Sequence, residues 1–95
     1  MTIRLSVHAQ ERAAQRCLSP EDILYILHYG RRYYVADAIF YFLTKRDLPA
    51  WDRHTRSRLV GTAVVVSKDR STIITMWRNR QTGVRKIRRK QARTR

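Results

Sequence analysis

The pattern of apolar and polar positions divides the chain into a helical N-terminal part and a C-terminal part made of strands. From Ser6 to about Cys17 the apolar residues fall on one broad arc of a helical wheel, and Ser6 is a favourable cap for such a helix. Cys17 belongs to the same apolar arc. The pattern therefore predicts an amphipathic first helix in which Cys17 is a buried, unreactive thiol.

A second helix is indicated by the order of residues in Ser19-Pro20-Glu21-Asp22. This segment offers a cap, a proline at the first helical position and two acids where the helix dipole favours them. Gly30 is placed to end the helix in the left-handed conformation. The residues expected to face the core are Ile23, Leu24, Ile26 and Leu27.

Beyond Gly30 the composition becomes that of strands, rich in tyrosine, phenylalanine, valine and isoleucine. The predicted strands are Arg32–Ala36, Ala38–Thr44, Leu59–Val66 and Thr72–Arg78, with a loop at 46–57 and a turn at 68–71. The predicted fold class is α+β, with two N-terminal helices packed on a four-stranded, mainly antiparallel sheet. Residues 1–84 form one domain in this reading, and residues 85–95 form a basic C-terminal tail.

The distribution of charge makes this small domain a candidate nucleic-acid-binding protein. The chain has 95 residues and a formal net charge of +14, with +2 on residues 1–47 and +12 on residues 48–95. Nine lysines and arginines and no acid lie between Arg78 and Arg95. Such a density attracts a polyanion through the release of its counterions, so RNA or DNA is the expected partner. The residues predicted to bind nucleic acid are Arg80, Arg85, Lys86, Arg88, Arg89 and Lys90.

The remaining composition excludes several classes of protein. The single cysteine cannot form an internal disulfide, and no cysteine and histidine spacing matches a zinc site, so no metal and no cofactor are expected. No apolar stretch approaches the ~20 residues needed to span a bilayer, and the N-terminus lacks the order of a secretion signal. A cytoplasmic protein with no membrane partner is the expectation.

Three polar residues on the first helix have the spacing of a shared surface line. His8, Arg12 and Arg16 lie at i, i+4 and i+8 beside the apolar arc. We refer to this first helix, predicted from Ser6 to about Cys17, as α1, and to the three residues as the α1 stripe. In an alternative interpretation, the two arginines form ion pairs with Glu11, Glu21 or Asp22, or bind carbonyl groups at a helix end.

Four segments together resemble a family of small bacterial domains of unknown function, number 4258. They are His8-x3-Arg12-x3-Arg16, Leu18-Ser19-Pro20-Glu21-Asp22-Ile23, Val64-Val65-Val66-Ser67 and Ile74-Thr75-x-x-Arg78. The resemblance implies a relation to the RelE-type toxins, and through them to the fold of barnase, EndoU-type and colicin-type ribonucleases. RelE-type toxins cut messenger RNA and are held inactive by an antitoxin. An acidic antitoxin is therefore a further candidate partner, besides RNA on or off the ribosome.

Cleavage of RNA without a metal needs a group that takes the 2′-hydroxyl proton and groups that neutralise the phosphorane. His8 is the candidate proton carrier, and Arg12 and Arg16 are candidates to bind the phosphate in a bidentate manner. Arg78 is the fourth candidate, placed to complete the phosphate site from the sheet. Simple alternation puts Arg78 and Thr75 on opposite faces of their strand, so Thr75 is left out of the site. The residues left open as a second proton carrier are Tyr41, Lys45 and His54.

Two functions from different classes remain in view. The first is a metal-independent endoribonuclease, the toxin of a toxin–antitoxin pair. The second is a non-catalytic RNA- or ribosome-binding module in which His8 is structural. A DNA-binding regulator is disfavoured, because neither predicted helix is rich in side chains that read bases. Aromatic residues that are candidates for stacking on bases are Trp51, Trp77, Tyr33 and Tyr34.

Overall fold

The computed structural model describes residues 4–78, which form two helices and a five-stranded sheet. The predicted α+β class is confirmed. In chain order the elements are β1 (Arg4–Leu5), α1 (Val7–Gln15), α2 (Pro20–Tyr29), β2 (Arg31–Val35), β3 (Ala38–Phe42), β4 (Thr62–Ser67) and β5 (Thr72–Arg78). Three short 3-10 turns, Lys45–Asp47, Ala50–Asp52 and Ser57–Leu59, occupy the long connection from β3 to β4.

The sheet contains one strand more than predicted. Its strand order is β1-β5-β4-β3-β2, and the neighbours from β2 to β5 are antiparallel. β1 pairs in parallel with the start of β5, where Arg4 lies opposite Thr72. The prediction of four strands is therefore corrected to five in a mixed sheet. Because β1 has only two residues, it carries no alternation that a pattern could reveal.

The two faces of the sheet bury separate sets of side chains. The helices pack on one face, and the other face has its own smaller cluster. This division follows from the period of two in a strand, which sends successive side chains to opposite sides. The helix side holds Ala9, Ala13, Ile23, Ile26, Ile39, Tyr41, Val64, Val66, Ile73 and Met76. The other side holds Val35, Phe40, Phe42 and Val65, with Tyr33, Ala38 and Trp77 partly buried against them.

A β-bulge in β5 joins the sheet to the first helix. The flanking pairs are Val65 with Thr75 and Val66 with Ile73, so Ile74 is the extra residue. The Ser6 hydroxyl donates to the carbonyl of Ile74 at 2.8 Å, and the Ser6 N–H donates to the carbonyl of Ile73 at 3.0 Å. Ser6 also caps α1 by accepting from the N–H of Ala9 at 3.0 Å. The bulge therefore anchors the start of α1, and α1 then packs along β5.

The first helix ends earlier than predicted, and this changes the position of the cysteine. α1 ends at Gln15, and Cys17 has a φ of 55°, the left-handed conformation that commonly ends a helix. The Leu18 N–H donates to the Ala13 carbonyl at 2.9 Å, and the Leu18 side chain is buried. The reversal of the chain thus places Leu18, not Cys17, in the core. The prediction of a buried thiol is wrong, because Cys17 is exposed.

The second helix begins as predicted but ends differently. Ser19 caps α2 with a full capping box, and Pro20 occupies its first turn. Gly30 has a φ of −67° and a ψ of 151°, so the prediction of a left-handed glycine is wrong. A Cβ at Gly30 would lie 2.5 Å from the carbonyl oxygen of Ile26, so close packing explains the glycine. Leu24, predicted to be in the core, is 60% exposed.

Candidate functional site

The α1 stripe lies on the surface, and two of its members are in contact. His8 is exposed and Arg12 is half-buried. The Arg12 Nε donates to the His8 Nε2 at 3.4 Å, and the Arg12 Nη1 donates to Gln15 Oε1 at 3.3 Å. The two hydrogen bonds hold the Arg12 guanidinium along the helix, beside the imidazole. In this contact the His8 Nε2 is the acceptor.

Arg16 extends the stripe by one further turn. Its backbone N–H donates to the carbonyl of Arg12 at 2.9 Å and so forms the C-cap of α1, while its side chain is exposed. Among the described residues, neither Arg12 nor Arg16 forms an ion pair. The predicted acid partners are therefore not used in this part of the chain. Asp22, one of those acids, is bound by other arginines.

Arg78 lies at the far end of β5, on the same side of the sheet as the helices. It is opposite Thr62 in the ladder, and its Nε donates to Thr62 Oγ1 at 3.4 Å. Arg78 shares its side of the strand with Met76, while Thr75 faces the opposite side, as predicted. Arg78 is the fourth residue after Ile74, where α1 is anchored, which puts the two roughly 13 Å apart along β5. The hydrogen bond from Arg78 to Thr62 and those between His8, Arg12 and Gln15 have no residue in common.

The candidates for a second proton carrier occupy different environments. Tyr41 is 8% exposed and belongs to the helix-side core. Lys45 and His54 are exposed in the connection between β3 and β4. Burial thus argues against Tyr41, whereas Lys45 and His54 remain accessible to a substrate.

A buried carboxylate, that of Asp22, holds the connection from β3 to β4 against α2 through contacts that the sequence pattern did not predict. Asp22 is 1% exposed, and its Oδ1 accepts from Arg56 at 3.0 Å and from Arg58 at 2.7 Å. Its Oδ2 accepts from the Ser19 N–H at 3.0 Å. Burial alone would raise the pKa of Asp22, but the hydrogen bonds from Ser19 and Arg58 outweigh it and lower the pKa.

A second link between α2 and this connection lies one helical turn further along α2. The Tyr25 hydroxyl donates to Asp52 Oδ2 at 2.9 Å, and the Arg56 guanidinium carbon lies 5.1 Å from the centre of the Tyr25 ring. Burial and the hydrogen bond to Asp52 raise the pKa of Tyr25 to about 12. The spacing of Asp22 and Tyr25 along one helix face was visible in the sequence, but their partners lie about 30 residues away. Only the fold brings them together.

Within residues 4–78, four aspartates have side-chain hydrogen-bond partners, whereas most cations form no ion pair. Asp22, Asp47, Asp52 and Asp69 all accept hydrogen bonds from neighbouring side chains. Most cations make no ion pair with another described residue: Arg4, Arg12, Arg16, Arg32, Lys45, Arg46, Arg53, Lys68 and Arg70. The surface of this part of the chain is therefore cationic, as the composition indicated.

The basic residues predicted to bind nucleic acid, Arg80, Arg85, Lys86, Arg88, Arg89 and Lys90, lie outside the described residues, as does the tail at 85–95. Of the stacking candidates, Trp51 is 78% and Tyr34 is 59% exposed. Tyr33 and Trp77 are partly buried in the second cluster. Within residues 4–78 there is no group of three or more histidine, cysteine or acidic side chains placed to hold a metal ion. No helix in that range has the length and apolar character needed to cross a membrane.

Comparison with known families supports the resemblance seen in the sequence. The profile of the family described as Domain of unknown function (DUF4258) matches residues 5–78, which include both helices, the α1 stripe and Arg78. The chain belongs to this family. No curated protein and no solved structure showed a significant match to it.

Proposed function

We propose that this protein binds RNA on its cationic surface and cleaves it at the α1 stripe without a metal ion. The observation that carries the proposal is the contact between His8 and Arg12, an exposed imidazole hydrogen-bonded to a guanidinium. Arg16, exposed and without an ion-pair partner in the described part of the chain, continues the line. In this proposal one helix face supplies the base, His8, and the two groups that bind phosphate, Arg12 and Arg16.

The chemistry follows from these groups. When the Arg12 side chain turns from His8 to the phosphate, the freed Nε2 of His8 accepts the proton of a ribose 2′-hydroxyl, and the 2′-oxygen attacks the adjacent phosphorus. The bond from phosphorus to the 5′-oxygen breaks, and that oxygen takes a proton from a general acid or from water. Arg12 and Arg16 neutralise the charge that develops on the phosphoryl oxygens. The products are a 2′,3′-cyclic phosphate and a 5′-hydroxyl end.

The resemblance to RelE-type toxins supports the same reading at the level of biology. A ribonuclease of this kind arrests growth when it is expressed alone. An acidic antitoxin would complement the cations that form no ion pair within residues 4–78 and block access to RNA. Induced expression is therefore expected to stop growth and to create new ends in cellular RNA.

The test is cleavage of a synthetic single-stranded RNA by protein purified at high salt, with EDTA present and the end groups of the products identified. Wild type is expected to yield cyclic phosphate ends. His8→Ala is expected to lower the rate by about 100-fold or more, the usual contribution of a general base. His28→Ala is the matched control, because it removes another exposed imidazole, at the end of α2. Equal rates for the His8 and His28 variants would refute the proposal.

A second candidate function is binding of RNA without cleavage. It is favoured by one observation, the burial of Tyr41, which removes one of the three candidates for a second proton carrier. In that case Arg12→Gln/Arg16→Gln weakens RNA binding, while wild type and His8→Ala both leave the RNA intact.

A further inference from the structure

The connection from β3 to β4, residues 43–61, contains a small cavity apart from the α1 stripe. We call these residues the β3–β4 loop. The cavity has a volume of about 170 Å³ and is lined by Lys45, Leu48, Arg53, Ser57 and Val60. Leu48 and Val60 are the more buried members, and Lys45, Arg53 and Ser57 are exposed. The cavity therefore has an apolar floor and a cationic rim. It is smaller than the pockets that enclose drug-sized ligands, so it suits one unit of a longer ligand.

In the β3–β4 loop the acidic side chains have partners, whereas two of the cations form no ion pair with a described residue. Asp47 accepts from Arg31 at 3.0 Å and from the Thr44 hydroxyl at 2.6 Å, and Asp52 is bound by Tyr25. Both acids of the loop are thus engaged by other side chains. Lys45 and Arg53 form no ion pair with any described residue. The rim is left with two uncompensated cations, which select an anionic ligand.

An exposed tryptophan belongs to the same loop. Trp51 is 78% exposed and lies two residues before Arg53. A tryptophan in this position offers an aromatic surface on which a base can stack, and stacking tolerates any base. The two links from α2, through Asp22 and Tyr25, hold the loop in place, so little order has to be gained on binding.

We propose that the β3–β4 loop binds one nucleotide of single-stranded RNA, with its phosphate between Lys45 and Arg53 and its base on Trp51. The ribose lies against the apolar floor of the cavity. This inference rests on the RNA binding put forward under Proposed function, but it uses none of the residues of the α1 stripe. The loop adds a contact that positions the strand at a distance from the reacting phosphate.

The experiment measures binding of a fluorescent single-stranded 2′-O-methyl RNA, which has no free 2′-hydroxyl and so cannot be cleaved by the proposed reaction. Lys45→Gln/Arg53→Gln is expected to weaken binding about 10-fold or more at about 0.15 M salt. The salt dependence should fall by ~0.7 in slope, which corresponds to one neutralised phosphate on a single strand. The matched control is Arg4→Gln/Lys68→Gln. It removes the same two charges at the opposite end of the sheet, where neither residue forms an ion pair with a described residue. This control is expected to change affinity by less than about 3-fold.

Stacking is tested separately in a Trp77→Phe background, which leaves Trp51 as the only tryptophan of the chain. RNA is expected to quench the Trp51 fluorescence, and Trp51→Ala is expected to weaken binding by about 5-fold or more. Equal losses for the loop pair and the control pair, or an unchanged affinity for Trp51→Ala, would overturn the proposal. The proposal would also be overturned if the β3–β4 loop bound an acidic polypeptide as tightly as RNA, because that result identifies a protein partner.

The outcomes also separate this inference from the proposed function. If Arg12→Gln/Arg16→Gln weakens binding and the loop variants do not, only the loop proposal fails. If wild type binds RNA no better than a variant in which the lysines and arginines of residues 4–78 are replaced by glutamine, both proposals fail. If the loop variants lose affinity but His8→Ala changes nothing in cleavage, the loop proposal stands and the catalytic assignment falls.

Discussion

Replacing Asp22 by asparagine should destabilise the fold more than the loss of any other single charge described. Asp22 is 1% exposed and carries the only carboxylate that Arg56 and Arg58 contact among the described residues. Its Oδ2 also accepts from the Ser19 N–H, and its backbone N–H donates to the Ser19 hydroxyl, which together form the capping box of α2. The Asp22→Asn substitution keeps the shape of the side chain and one acceptor oxygen, but it removes the charge that both guanidinium groups require.

The magnitude follows from these contacts. A hydrogen bond to a charged group contributes ~1.5–3 kcal/mol, and the removal of one member of a buried ion pair costs ~3–5 kcal/mol. Here the Arg56 and Arg58 side chains are 30% and 52% exposed, so water compensates part of their loss. We expect a decrease of about 2–3 kcal/mol in the free energy of unfolding at pH 7. For a domain of this size that corresponds to a Tm lower by ~10–20 °C.

The dependence on pH provides a second, independent readout. Because folding lowers the pKa of Asp22 from its ordinary value of 3.8, the charged carboxylate stabilises the fold fully above that value. The stabilisation disappears as the pH falls through the lowered pKa of the folded state. The difference in Tm between wild type and Asp22→Asn should therefore be constant from about pH 7 to 5 and should shrink below pH ~4.

Thermal unfolding followed by circular dichroism between about pH 7 and 3 measures both quantities. The matched control is Asp37→Asn, an exposed aspartate in the turn between β2 and β3, which should change Tm by about 3 °C or less. A Tm for Asp22→Asn within that margin of wild type would refute the structural reasoning. A deficit that is as large at pH 3 as at pH 7 would contradict its electrostatic part.

Three further perturbations test the anchoring of the helices. Tyr25→Phe removes the hydrogen bond to Asp52 and should lower the free energy of unfolding by ~1 kcal/mol. Because burial raises the pKa of Tyr25 to about 12, this loss should be complete below about pH 10 and should disappear as the pH rises through 12. Absorbance titration of the tyrosine and melting curves at each pH measure the two effects. Gly30→Ala places a methyl group against the preceding turn of α2 and should lower stability by ~1–3 kcal/mol in urea unfolding, whereas a mere propensity effect would stabilise. Ser6→Ala removes the cap of α1 and the bond to the Ile74 carbonyl, so a loss of ~1–2 kcal/mol is expected, and an unchanged midpoint would contradict the role of the bulge.

Local patterns in the sequence were sufficient for the elements that have a strong local signal. The start of α2 at Ser19-Pro20 and the whole of β5 were predicted at their observed positions, because capping chemistry and alternation act within a few residues. The α1 stripe was predicted from spacing, and its first contact, between His8 and Arg12, lies where an i, i+4 pair must lie. The role of these residues in RNA cleavage stays a prediction.

Where a feature depends on distant residues, local reasoning failed. The end of α1 was misplaced because the left-handed turn at Cys17 is stabilised by burial of Leu18 in a core that the helix alone does not contain. β1 was missed because its two residues are a strand only by virtue of pairing with the start of β5. The reason predicted for Gly30, a left-handed conformation, was wrong. Glycine is required there because the backbone of its own helix and of β3 leaves no room for a Cβ.

The sequence by itself determined the class of the fold, the family, the cationic character and the line of polar residues on α1, because composition and periodicity are properties of neighbouring residues. Tertiary structure alone decided which charges are neutralised. Asp22 is bound by arginines more than 30 residues away, Asp52 by a tyrosine on another element, and Lys45 and Arg53 are left without an acid among the described residues. Ion pairing depends on distances of a few ångströms between side chains, and those distances are set by packing of the whole chain.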